Sequence, residues 1–66
     1  MDGVKPLLDL AEQLLKSLDD AKNSGDDWLA QGYIQNLRET LRGIEQGGYD
    51  EKYIDQVEKI REAIKA

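Results

Sequence analysis

The sequence predicts an all-α protein, an up-down-up antiparallel three-helix bundle. Three observations carry that reading. Apolar residues recur at steps of three and four in three separate stretches, the period of a one-sided helix. Two short breaks, Asn23-Ser24-Gly25 and Gly47-Gly48, separate the stretches. The chain has 66 residues with no cysteine and no histidine, so neither disulfides nor the usual zinc ligands can supplement its core. A chain this short buries only roughly 60% of the surface its unfolded form exposes. Three helices that each bury one stripe can close a single core. The expected organisation is one domain over 1–66, with helices at about 4–22, 27–46 and 50–65.

The first stripe is Val4, Leu7, Leu8, Ala11, Leu14, Leu15, Leu18 and Ala21. Asp2 or Gly3 can cap its start, and Pro6 fits only in the first turn, where its missing N–H matters least. Lys5, Asp9, Glu12, Gln13, Lys16 and Asp20 lie outside the stripe, with Glu12 and Lys16 in the favourable order four apart. Gly25 or Asn23 can take the left-handed conformation that ends a helix. Ser24 or Asp26 can then cap the next one.

In the second stretch Ala30, Ile34, Leu37, Leu41 and Ile44 repeat at four-three-four-three spacing, the seam of a bundle. Leu29, Tyr33 and Thr40 flank that seam on one side. Arg38 and Arg42 fall in the C-terminal half, where positive charge is favoured. The third stretch has the most explicit start. Asp50 is a good N-cap, Glu51 comes directly after it, and Tyr49 and Ile54 are spaced for a hydrophobic staple. Tyr53, Val57, Ile60 and Ile64 form its stripe with Ile54 at the edge, Asp55 and Lys59 form a further pair four apart, and twenty-residue helices of about 30 Å would be well matched in length. Leu14, Leu37 and Ile60 sit mid-helix on the three seams and should be buried.

The composition excludes several function classes. The net charge is −5, and no basic stripe offsets the repulsion that a nucleic acid would feel. No apolar run approaches the roughly 18 residues of a membrane span, and the start Met1-Asp2-Gly3-Val4 is not followed by a signal-type apolar block. A soluble protein is expected, of cytoplasmic type if natural. The hydroxyls of Ser17, Ser24 and Thr40 have no histidine to activate them, so no enzyme, catalytic residue or cofactor is expected. Nor is a small-molecule site evident.

Asp19, Asp20, Asp26 and Asp27 flank the first break and invite a calcium reading. Aligning Gly25 with the glycine of a calcium-binding loop puts Lys22 at the third position and Gln31 at the twelfth. Such a loop needs an acid or Asn at the former and a bidentate Glu at the latter. Lysine at a ligand position contradicts the motif, and no metal site is assigned. Gly47-Gly48 ends a helix rather than opening one, so it is no phosphate cradle.

One feature exceeds what a bundle needs. At about 100° per residue, Trp28, Gly32, Gln35, Glu39, Gly43 and Gln46 share the face of helix two opposite its seam. That face holds the only tryptophan and two mid-helix glycines, each costing about 1 kcal/mol relative to alanine. An aromatic anchor beside small residues suits a helix-mediated protein interface. The competing reading folds Trp28 over the loop to cover the end of the core. Tyr33, Tyr49 and Tyr53 read as boundary and core residues.

With its Leu/Ile/Val/Ala seams, no Cys, His or Phe, Met only at the start, and the cap at Tyr49-Asp50-Glu51, the chain resembles a computationally designed or redesigned three-helix bundle. Gly32, Gly43 and the like-charge spacing of Arg38 and Arg42 depart from an idealised design, which points to a redesign on a natural backbone or an engineered binder. The resemblance implies a structural scaffold with no evolved activity. The alternative is a small protein-binding module, or self-association, through Trp28, Gly32, Gln35, Glu39 and Gly43.

Overall fold

Helix signals and turn chemistry agree in the folded chain. The computed structural model describes residues 3–65 and contains α1 (Lys5–Asn23), α2 (Asp27–Gly47), a 3-10 turn (Glu51–Tyr53) and α3 (Ile54–Lys65). Of the described residues 87% are helical, and none is in a strand. α1 packs against α2 and α3 contacts both, an all-α three-helix bundle. No helix among these residues is long and apolar enough to cross a membrane.

α1 begins without a side-chain cap. Val4 occupies the N-cap position and is buried, its carbonyl accepting from the Leu8 N–H at 3.0 Å. Pro6 lies in the first turn, where its fixed φ is already helical. Of the two residues expected to cap this end, Gly3 lies before the N-cap and Asp2 lies outside the described residues. Burial of Val4 and the stiffness of Pro6 replace the hydrogen bond there.

The other end of α1 is closed by a Schellman motif. Gly25 takes φ +74°, its N–H donates to the Lys22 carbonyl at 3.1 Å, and the Asp26 N–H reaches the Ala21 carbonyl at 3.0 Å. The same Asp26 starts α2, because its Oδ1 accepts from the Leu29 N–H at 3.1 Å. Asp26 is therefore the cap that the residue pattern leaves open against Ser24. The Ser24 hydroxyl instead donates back to the Asp20 carbonyl at 2.9 Å.

After α2, Gly48 adopts φ +77° and the chain turns. Asp50 accepts from the Lys52 N–H at 3.1 Å, but the next three residues form a 3-10 turn before α3 begins. This turn separates the Asp50 cap from the α-helix proper. A 3-10 turn advances 120° per residue rather than 100°, so three residues rotate the start of α3 by roughly 60°. Tyr49 and Tyr53 pack on the core, whereas Ile54 is 44% exposed. The short α3 corrects the expected match in length. α3 has 12 residues, about 18 Å at 1.5 Å each, against 19 and 21 residues, about 28 and 31 Å, for α1 and α2.

The core centres on Leu37, Ile44, Val57 and Ile60, all fully buried. Ala11, Ala21 and Ala30 are buried between the larger Leu8, Leu18 and Ile34 and let the helices approach closely. Thr40 is buried with its hydroxyl satisfied, donating to the Asn36 carbonyl at 2.8 Å. Leu37 and Ile60 lie where the seams put them. Leu14 does not: it is only half-buried, beside Asn36 and Thr40, whose short polar side chains do not cover it. Among the described residues the ion pairs are those of Arg61 with Glu45 at 3.1 Å and Glu58 at 2.8 Å. The Glu12/Lys16 and Asp55/Lys59 spacings form none.

Leu37→Ala should cost about 2–5 kcal/mol, and the half-buried Leu14→Ala distinctly less, read as urea-unfolding free energies. Equal losses would contradict the burial difference. Asp26→Ala should cost about 1 kcal/mol through loss of the α2 cap, with Asp26→Asn close to wild type.

Candidate functional site

α2 carries the residues that the core does not use. Trp28 stands in its first turn and is 90% exposed, so the indole covers neither the loop nor the core end. Gly32, Gln35 and Glu39 come after it, all exposed. An added Cβ at Gly32 would meet nothing within 4 Å. Gln31, Arg38 and Arg42 are exposed along one flank of the same face. The structure thus brings together Trp28, Gly32, Gln35 and Glu39 on one open surface.

Gly43 does not belong with them. It is half-buried, and a Cβ there would lie 3.4 Å from Leu7 Cδ1 of α1. At 100° per residue Gly43 sits only roughly 20° around the helix from Gly32, so the difference between them is position along the axis, where Gly43 lies level with Leu7 of α1. The period of one helix shows which side faces away from its own seam. It does not show where along the axis a neighbouring helix comes close, and α1 does so at Gly43.

The side of α2 next to α1 is a second surface, which periodicity alone did not reveal. Leu7, Leu10 and Leu14 of α1 face Asn36, Glu39 and Thr40 of α2 across a groove of about 360 Å³. Leu10 is 45% exposed. Nearer the interhelical turn lies a separate recess of about 200 Å³, lined by Ser17, Leu29 and Tyr33 together with Asp20 and Asp26. At the opposite end Leu7 and Gly43 open into about 470 Å³ beside Gly48 and Tyr49. A signal for it was present: Leu10 lies three residues after Leu7 and four before Leu14, widening the apolar arc of α1 beyond what one core requires.

The charges are unevenly placed. Every lysine lies outside α2, whose only cations are Arg38 and Arg42. Among the described residues neither is in an ion pair. Arg61 is engaged, and its pKa is raised above the ordinary arginine value, first by its hydrogen bond to Glu45. The Lys52 ammonium lies 5.2 Å from the centre of the Tyr53 ring. Tyr33, Tyr49 and Tyr53 are half-buried against the core. At the acidic turn Asp19, Asp20, Asp26 and Asp27 are exposed, and among the described residues no three metal-ligating side chains converge.

No family model, curated protein or solved structure matches the chain.

The two glycines should respond differently to alanine. Gly32→Ala adds a methyl in open space and should stabilise the fold by up to about 1 kcal/mol. Gly43→Ala should gain less, because Leu7 must yield to the new methyl. Thermal unfolding of the two single variants checks the order, and a larger gain at position 43 would contradict the contact with Leu7.

Proposed function

We propose that the chain is a non-catalytic helical scaffold that binds another protein through the outer face of α2, with Trp28 as anchor. The observation that carries this reading is the 90% exposure of Trp28. An aromatic side chain of this size brings on the order of 200 Å² to an interface. At about 25 cal/mol per Å², its burial is worth roughly 5 kcal/mol before the costs of association. In the folded monomer that gain is unused.

The surroundings support a protein as the ligand. Interfaces favour Trp and Arg and disfavour Lys, and α2 has Trp28, Arg38 and Arg42 with no lysine. Gly32 leaves flat backbone one turn from the indole, and Gln31 and Gln35 offer amides that donate and accept. The non-catalytic part rests on the side chains themselves. The chain has no histidine or cysteine, and the hydroxyls of Ser24 and Thr40 are already donated to backbone carbonyls.

The test is selection of binders from a displayed library of helical peptides against the wild-type chain, ranked on Trp28→Ala. The variant should bind at least about 30-fold more weakly, the loss of about 2 kcal/mol expected at an anchor, while its melting temperature stays at the wild-type value. Binders that ignore the substitution would sink the proposal, as would a variant that melts well below wild type.

A further inference from the structure

We infer that the partner of the outer face of α2 is an acidic amphipathic helix, which packs an apolar side chain on Trp28 and sets two carboxylates, three or four residues apart, on Arg38 and Arg42. The inference rests on the reading of that face as a protein-binding surface and adds the chemistry of what it binds.

Spacing makes the face a docking stripe for a helix. Trp28, Gln31, Gln35, Arg38 and Arg42 recur at steps of three, four, three and four, the rhythm of the core seam on the other side of α2. At 100° per residue they fall within an arc of about 80°, and all five are exposed. A second helix lying along such a stripe meets each residue in turn. The two glutamines separate an aromatic end from a cationic end. At 1.5 Å per residue, Arg38 and Arg42 stand about 15 and 21 Å along the axis from Trp28. A partner that reaches both ends is therefore a helix of at least about fifteen residues.

Charge selects which helix. In a chain of net charge −5, α2 holds two arginines four apart, a spacing at which like charges repel. Its own carboxylates do not answer them. Glu45 accepts from Arg61 at 3.1 Å. Glu39 lies about 100° and 60° around the helix from Arg38 and Arg42, and among the described residues it pairs with neither. Side chains four apart start about 5–6 Å from each other, so two carboxylates at helical spacing match the two guanidinium groups. The fork of each arginine binds a carboxylate through two parallel N–H groups. Beneath a partner helix these pairs lose part of their water and gain over exposed ones.

The same balance rules out other occupants. A polyanion meets two cations on α2 and then Asp27, Glu39 and Glu45, which repel it. A basic helix meets the arginines directly. A neutral helix covers both guanidinium groups without an anion, at a desolvation cost. A helix that is apolar at one end and carries a short acidic patch at the other satisfies the whole stripe.

The experiment selects from displayed helical peptides about 20 residues long, with Glu and Lys equally frequent at every randomised polar position. Peptides selected on the wild-type chain should carry a Glu pair three or four apart, at least about ten residues from an apolar anchor. They should bind Arg38→Gln/Arg42→Gln at least about tenfold more weakly. Arg38→Lys/Arg42→Lys should recover part of that loss, because lysine keeps the charge and lacks the fork. The glutamine variant should melt at or above the wild-type temperature, since a like-charge repulsion has gone. Peptides that need Trp28 but bind the glutamine variant as tightly as wild type would overturn the inference and leave the Trp28 anchor standing. Peptides indifferent to Trp28→Ala would overturn both. A wild-type chain that dimerises in sedimentation velocity, and returns to monomer in the glutamine variant, would overturn the inference by making a second copy the occupant.

Discussion

The bundle depends on one residue with two tasks at the first turn. The Asp26 backbone N–H closes α1 by bonding to Ala21, and its carboxylate opens α2 by accepting from Leu29. Both bonds require the chain to reverse within Ser24 and Gly25, and the positive φ of Gly25 makes that reversal unstrained. The turn sets direction. Once α2 must run back along α1, the alanines at 11, 21 and 30 allow close approach, and the larger residues between them fill the remaining space.

The second connection is less strict, and α3 is held less firmly. Its first turn is 3-10 rather than α, it is the shortest of the three helices, and it packs more lightly on its neighbours than they do on each other. Val57 and Ile60 give it a buried seam, but its ion pairs through Arg61 are exposed at 40% on the arginine side, and pairs of that kind contribute little. Stability is therefore graded along the chain. Opening of α3 alone is the lowest-cost excursion available to the core, and its amides should exchange before those of the α1/α2 hairpin.

Much of this was legible in the residues. Helix number, order and the first two sets of boundaries come from periodicity and from glycine placement, which are local properties. Burial of Leu37 and Ile60 comes from their position at the centre of a seam. What was not legible depends on neighbours. Leu14 lies on the apolar stripe but opposite short polar side chains. Gly43 lies on the back of its own helix but against α1. Ile54 has the spacing of a staple but sits after a 3-10 turn that no propensity announced. Trp28 was legible as unusual, while its exposure had to come from the fold. Leu10 was overlooked because three stripes already satisfied one core, and a stripe wider than necessary reads as redundancy until the helices are assembled.

The confinement of lysine to α1, α3 and the turn before α3 has a practical side. Primary-amine chemistry, whether acylation by a reagent or by an enzyme, has no side chain to attack on α2. Conjugation through amines would decorate or anchor the molecule by its other elements, leaving the indole of Trp28 and the guanidinium groups of Arg38 and Arg42 unaltered. A chain coupled to a bead or a dye in this way presents α2 outwards without any change to its sequence.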